Sequence, residues 1–249
     1  MLSLNSRSWI GILATAVVVF AGLNLWQWQR SPSVELTDQE IADRFNVLWS
    51  GRDNTWRKNS FLGIRTLQNP LDVWVTFEII HKVKPDVIVE TGTLQGGSAA
   101  LWAMFLEHVN PEGRVISIDI ENESAKARAL PISRRRVDYL IGSSTDPKIV
   151  EEVRRRVEGE RVLVILDSAH YMDHVLDELR AYAPMVSLGS YLIVQDTTMN
   201  GHPTAPDYGP GPYEAVEAFL DDTDDFVPDR SRERLIMTNN PMGFLKRVR

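Results

Sequence analysis

Residues 86–98 read DVIVETGTLQGGS, and the stretch changes character halfway through. Asp86 to Thr91 is short, apolar and rich in β-branched residues, as expected of a strand buried on both faces. Gly92, Gly96 and Gly97 then interrupt it, and helical spacing follows from Gly97 to His108. A strand that enters a glycine-rich turn and leaves as a helix opens a doubly wound α/β sheet. The alternation repeats downstream. RVISID (114–119), VDYLI (137–141), RVLVILD (161–167) and SYLIVQD (190–196) are strand runs. Helical stretches fall near 123–130, 146–158, 172–182 and 213–221. Apolar strands separated by helices predict a parallel sheet covered on both faces.

At the C-terminal end, RLIMT (234–238) and FLKRV (244–248) flank NNPMG (239–243), which predicts an antiparallel hairpin. Five parallel strands finishing in a hairpin is the Rossmann-like layout of class I methyltransferases. A doubly wound dehydrogenase would normally lack the hairpin. Upstream, 72–82 has helical periodicity with Val73, Phe77 and Ile80 on one face. Residues 41–71, with Trp49 and Trp56, show no clear period, and 31–40 read as a polar linker. Residues 9–26, WIGILATAVVVFAGLNLW, are almost wholly apolar, with a tryptophan at each end. They predict a single-pass membrane anchor, with a cleaved signal peptide as the alternative. The expected organisation is therefore an anchor (1–30), a linker and helical lead-in or lid (31–85), and a catalytic domain (86–249).

A net charge of −7 argues against a nucleic-acid partner, since phosphate binding needs clustered Lys and Arg. The short run Arg134–Arg136 beside Asp138 reads as a solvated loop. With no cysteine, disulfides, thiolate metal sites and cysteine nucleophiles are excluded. Four of the five parallel strands end in or beside an acid: Glu90, Asp119, Asp167 and Asp196. In open α/β sheets that end is where ligands bind. The loop Glu90-Thr91-Gly92 to Gly96-Gly97-Ser98 is G-x-x-x-G-G, not the G-x-G-x-x-G of a dinucleotide site. Its helix N-terminus at Gly97 and Ser98 suits a carboxylate. These features predict S-adenosylmethionine, with Glu90 toward the ammonium and Asp119 accepting from the ribose hydroxyls. Gly142 and Ser143 would touch the adenine edge; a capping turn before Asp146 is the alternative.

Asp167-Ser168-Ala169-His170 ends the fourth strand and Asp196 the fifth, and neighbouring strand ends would bring both aspartates to one Mg²⁺. His170 would then be the base for a substrate hydroxyl. His174, one turn on, reads as structural. The Pro- and Gly-rich segment 196–212 is expected to be a lid, with His202 and Tyr208 facing substrate, or else a plain surface loop.

The motifs ETGTLQGGSA, ILDSAH, HVLDELRAYAPMVSLGSYLIVQDT, NGHP, GPGPYEAVEAFL and DRSRERLIMTNNPMGFLKRV together resemble the cephalosporin hydroxylase / rhamnosyl O-methyltransferase family, over about Phe45 to Arg249. The resemblance implies Mg²⁺-dependent O-methylation of sugar hydroxyls on lipids, peptides or macrolides. It also implies metal ligation by Asp167, Gln195 and Asp196, with His170 as base. Gln195 departs from the glutamate usual there, which leaves the site one negative charge short. The expected acceptor is a small-molecule or lipid-linked saccharide. Since the cofactor is made in the cytosol, the catalytic domain is expected on the cytoplasmic side of the anchor. A homo-oligomer is left open. An oxygenase-type hydroxylase and a non-catalytic binding factor are the alternative functions.

Overall fold

The run 86–91 holds the middle one of the five parallel strands in a seven-stranded sheet. The computed structural model describes residues 17–21 and 35–249, and residues 38–249 form one compact unit. That unit begins with α1 (Asp38–Gly51), the two-residue strands β1 (Ser60–Phe61) and β2 (Ile64–Arg65), and α2 (Pro70–Val83). The sheet then starts with β3 (Val87–Thr91), α3 (Gly97–Val109), β4 (Arg114–Asp119), α4 (Ala125–Ala129), α5 (Pro131–Arg136) and β5 (Val137–Ile141). It continues with α6 (Pro147–Arg156), β6 (Val162–Leu166), α7 (Met172–Tyr182) and β7 (Tyr191–Val194), and ends with α8 (Pro212–Asp222), β8 (Phe226–Pro228) and β9 (Phe244–Arg247).

The strand order is β5-β4-β3-β6-β7-β9-β8. The first five are parallel, and β9 runs antiparallel between β7 and β8. The chain starts mid-sheet, builds outward to β5, and returns to lay β6 beside β3. That reversal opens a crevice at the carboxyl ends of β3 and β6. Side-chain alternation along β3 explains why the run has no polar period. Val87 and Val89 join the core with α6, α7 and α8, while Ile88 joins Ile79, Trp102 and Leu106 on the opposite face.

Three expectations are corrected. The apolar stretch 9–26 was expected to cross a membrane, but no helix among the described residues is long and apolar enough to do so. Of that stretch only 17–21 are described, as helix; five residues span about 7–8 Å of a hydrocarbon core of about 30 Å. The rest of the stretch, with most of the expected anchor, lies outside the described residues, and the expected cytoplasmic face loses its basis with it. Secondly, the antiparallel partners of β9 are β7 and β8, not 234–238. Ile236 takes φ 72 and is 66% exposed. Thr238 Oγ1 and Asn239 N donate to the Asp72 carboxylate and Asn240 Oδ1 accepts from Asp196 N, instead of joining a ladder. Thirdly, the deepest stripe of α2 is Asp72, Val75, Thr76, Ile79 and Ile80; Val73 and Phe77 lie at its margin, where Phe77 stacks on Phe105 at 4.1 Å.

Candidate active site

The loop after β3 is shaped by contacts that leave no room for side chains. A Cβ on Gly92, whose φ is 86, would lie 1.9 Å from the Asp167 carbonyl oxygen. One on Gly97 would lie 1.9 Å from Thr66 Oγ1, so the start of α3 is pressed against the segment before α2. Asp119 caps no helix. Its Oδ2 accepts from Leu94 N (2.7 Å) and its Oδ1 from Glu121 N (3.0 Å), which fixes its carboxylate at the loop. Gly92, Ser98, Asp119, Gly142 and Ser143 all line one cavity of about 870 Å³. That volume suits a cofactor together with an acceptor.

Glu90 is buried behind the loop, 1% exposed. Trp102 Nε1 donates to its Oε1 (2.9 Å) and Ser117 Oγ to its Oε2 (2.7 Å). No cation is paired with it among the described residues, and burial pushes its carboxyl up to about 7. A buried carboxylate without a counter-charge is the arrangement that a bound ammonium would relieve. Thr91 is fully buried beside it, its carbonyl accepting from Asp167 N (3.1 Å). Gly96 starts α3 in the left-handed region at φ 81.

The strand-end aspartates converge. Asp167, His170 and Asp196 each offer a ligand atom within 4.8 Å of the other two, and all three line the same cavity. His170 Nε2 lies 3.4 Å from Asp196 Oδ2. Burial first, then the charges of Asp196 and Glu90, hold the Asp167 carboxyl well above the usual carboxylate range. Two carboxylates and an imidazole facing open space fit a hard divalent cation that keeps waters. Gln195 is turned elsewhere. Its amide pairs reciprocally with Gln68 (2.8 and 3.1 Å), and it does not line the cavity.

Several residues here carry no sequence signal. Gln68 also donates to Asp167 Oδ2 (2.9 Å). Asp72 accepts from Thr238 Oγ1 (2.5 Å) and Asn239 N (2.8 Å), and burial pushes it up to about 7. Asn240 Oδ1 accepts from Asp196 N (3.1 Å), and Asn239 Nδ2 approaches Asp196 Oδ1 (3.4 Å), holding Asp196 at φ 56. The stretch Gln68–Asp72 thus braces Asp167 directly and Asp196 through the 238–240 loop. His174 lines the cavity next to Ser143 and Ser144, against a fully buried Glu178 whose hydrogen bond raises its pKa. Its Nε2 is 3.0 Å from Ser168 Oγ and 3.3 Å from Ser144 Oγ.

His202 and Tyr208 do not line the cavity, although Met199 and residues 203–206 of the same loop do. His202 stacks on Tyr213 at 3.9 Å, and its Nε2 lies 3.0 Å from Glu214 Oε1. Burial alone would raise Glu214, but hydrogen bonds from Gly211 N and Asn200 Nδ2 outweigh it and hold the carboxyl at about 2. Tyr208 stacks on Tyr171 at 5.6 Å. The loop is pinned to α8 at this point.

Comparison with known proteins agrees with this geometry. The family model described as Rhamnosyl O-methyltransferase/CmcI matches residues 53–248. The rhamnosyl O-methyltransferase of Mycobacterium tuberculosis (strain H37Rv) is 37% identical over 214 residues, covering 83% of this chain and 85% of the relative. That of Mycobacterium leprae is 34% identical over 214 residues, covering 83% and 90%. Among solved structures, CmcI-D160 with Mg and SAM superposes with a TM-score of 0.60 at 20% identity, covering 88% of each chain; the apo CmcI-N160 structure also gives 0.60, at 21% identity. Those two share the class I methyltransferase sheet described above. With the family model spanning most of the sequence and relatives above 30% identity over most of its length, the chain belongs to the rhamnosyl O-methyltransferase/CmcI family.

Proposed function

We propose that this chain is an S-adenosylmethionine-dependent, Mg²⁺-assisted O-methyltransferase acting on a saccharide hydroxyl, with a rhamnosyl hydroxyl the first to test. The observation that carries the reading is the convergence of Asp167, His170 and Asp196 in the cavity that also holds the glycine loop and Asp119. The cofactor supplies an electrophilic methyl on sulfur, and the cation, when bound, acidifies the acceptor hydroxyl. Asp167 and Asp196 hold the cation. His170 takes the hydroxyl proton, and Asp196, 3.4 Å away, stabilises the imidazolium that results. Asp119 orients the ribose, Gly97 and Ser98 meet the carboxylate, Gly142 and Ser143 meet the adenine, and Glu90 stands behind the ammonium. Gln195 supports the site through Gln68.

No membrane span among the described residues favours a lipid-linked acceptor over a freely diffusing one. The hydroxylase reading wants two histidines and one carboxylate, whereas this cluster has one histidine and two aspartates. The test is methyl transfer from S-adenosylmethionine to p-nitrophenyl α-L-rhamnopyranoside with and without Mg²⁺. His170→Ala should lower kcat by about 10²–10⁴-fold while S-adenosylhomocysteine still binds. Full kcat in that variant would remove His170 from the mechanism.

A further inference from the structure

Resting on the saccharide reading above, we propose that Trp56 and Arg57 form an acceptor subsite, a wall against which a pyranose ring lies. Of the segments that line the cavity beyond the cofactor loop and the acid cluster, two bear on an acceptor. One is 47–57, with Val47, Ser50, Trp56 and Arg57; the other is 198–206, with Met199, Pro203 and Pro206. Among the described residues lining the cavity, Trp56 is the one large aromatic.

Trp56 is held in place. It opens a single 3₁₀ turn, Trp56–Lys58, and its Nε1 donates to Ser50 O (3.2 Å) at the end of α1. Thr55 Oγ1 donates to Trp49 O (2.5 Å). Arg57 places its guanidinium over the indole, 5.0 Å from the centroid, and no carboxylate lies within ion-pair distance of it among the described residues. The chain just after the segment ties it to the transfer point: Asn59 O accepts from Thr66 N (2.9 Å), Asn59 Nδ2 donates to Gln68 O (2.9 Å), and Gln68 Nε2 donates to Asp167 (2.9 Å).

This pairing matches the chemistry of a sugar. One face of a pyranose is a patch of C–H groups, which the indole face that Arg57 leaves uncovered would accept, and its hydroxyls are acceptors for the N–H fork of Arg57 at the indole's other face. Met199, Pro203 and Pro206 carry no side-chain donor, and the Thr204 hydroxyl between them is spent on Thr198 O (3.0 Å), so this part of the wall suits the apolar C–CH₃ end of a 6-deoxyhexose. A fully hydroxylated hexose would leave one hydroxyl unpaired there.

The experiment uses the full chain and p-nitrophenyl α-L-rhamnopyranoside as probe. Initial rates give KM and kcat, saturation-transfer NMR follows the rhamnoside, and calorimetry follows S-adenosylhomocysteine. Trp56→Ala should raise the rhamnoside KM about tenfold, with kcat within about threefold and S-adenosylhomocysteine affinity unchanged. Trp56→Phe should recover most of the loss, and Arg57→Ala should raise KM severalfold. Unchanged KM in both alanine variants overturns the subsite while leaving the saccharide reading in place. A wild-type chain that neither binds nor methylates the rhamnoside overturns the reading, and the subsite with it. If Trp56→Ala also loses S-adenosylhomocysteine, its fold is damaged, and Arg57→Ala alone decides.

Discussion

Replacing Glu90 by Gln removes a buried charge while keeping its volume. The amide fits the existing contacts. Its oxygen accepts from Trp102 Nε1, its nitrogen donates to Ser117 Oγ, and the Ser117 proton turns to Thr93 Oγ1, 2.6 Å away. Burial raises this carboxyl from 4.5 to about 7, which disfavours its ionised form in the folded protein by about 3 kcal/mol. A raised folded-state pKa contributes stability that is complete below 4.5, falls as pH climbs toward about 7, and is gone above it. At about pH 8 the ligand-free Glu90→Gln protein should therefore be about 3 kcal/mol more stable than wild type, or about 6–12 °C higher in Tm for a domain of this size. The gap should close by about pH 4.5. Affinity for S-adenosylhomocysteine should move the other way, falling about tenfold, because the ammonium loses its counter-charge. Thermal melts across this pH range, with calorimetry at its upper end, make the measurement. A Tm difference that does not vary with pH, or a variant less stable than wild type at about pH 8, would refute the reasoning.

Three further outcomes are expected. Asp119→Ala should weaken S-adenosylhomocysteine binding by about 1.5–3 kcal/mol and also strip Leu94 N–H of its acceptor, with Asp119→Asn between it and wild type; unaltered calorimetry would remove Asp119 from the ribose site. Since the Asp167 carboxyl is held high, its proton must leave before a cation binds, so apparent Mg²⁺ affinity should climb by up to about tenfold per pH unit until the carboxyl ionises; a flat profile contradicts this. Asp72→Ala should cost about 10–100-fold in Mg²⁺ affinity without touching the cofactor loop, through release of the 238–240 loop, whereas Asp72→Asn should keep most of it; equal Mg²⁺ titrations for all three proteins would show that the brace does not reach the metal.

The five parallel strands are legible because each is short and largely apolar, whereas β8, three residues ending in Pro228, carries no such run. Strand β4 begins and ends where its residues predict, and three of the four strand-end acids, Asp119, Asp167 and Asp196, line one cavity because the sheet is open and parallel, while Glu90 lies buried behind the loop. The first half of the expected hairpin is not a strand, although RLIMT has the composition of one. What takes it out of the ladder is Asp72, which lies 166 and 167 residues from Thr238 and Asn239. Gln68 is silent for the same reason, with partners 99 and 127 residues away. His202 sits in a loop that reads as substrate-facing, yet its imidazole answers Glu214, twelve residues on, and no local pattern announces that pairing. The α2 stripe is rotated because buried polar residues, Asp72 and Thr76, belong to it, and an apolar period cannot show them.

The insertion of β9 between β7 and β8 sets an order of events during synthesis. Residues 86–196 carry every strand end of the crevice, and they leave the ribosome well before Asn239 and Asn240, which hold Asp196, and before β9, which covers β7. Until then β7 is an open edge with unpaired amides and carbonyls, ready to meet another chain. Pairings of such sequence separation form slowly. A stalled or nicked chain that lacks residues 239–247 would thus keep a nearly complete nucleotide-binding half and still have no ordered acid cluster. Such a fragment would hold the cofactor without consuming it, while its bare strand invites aggregation.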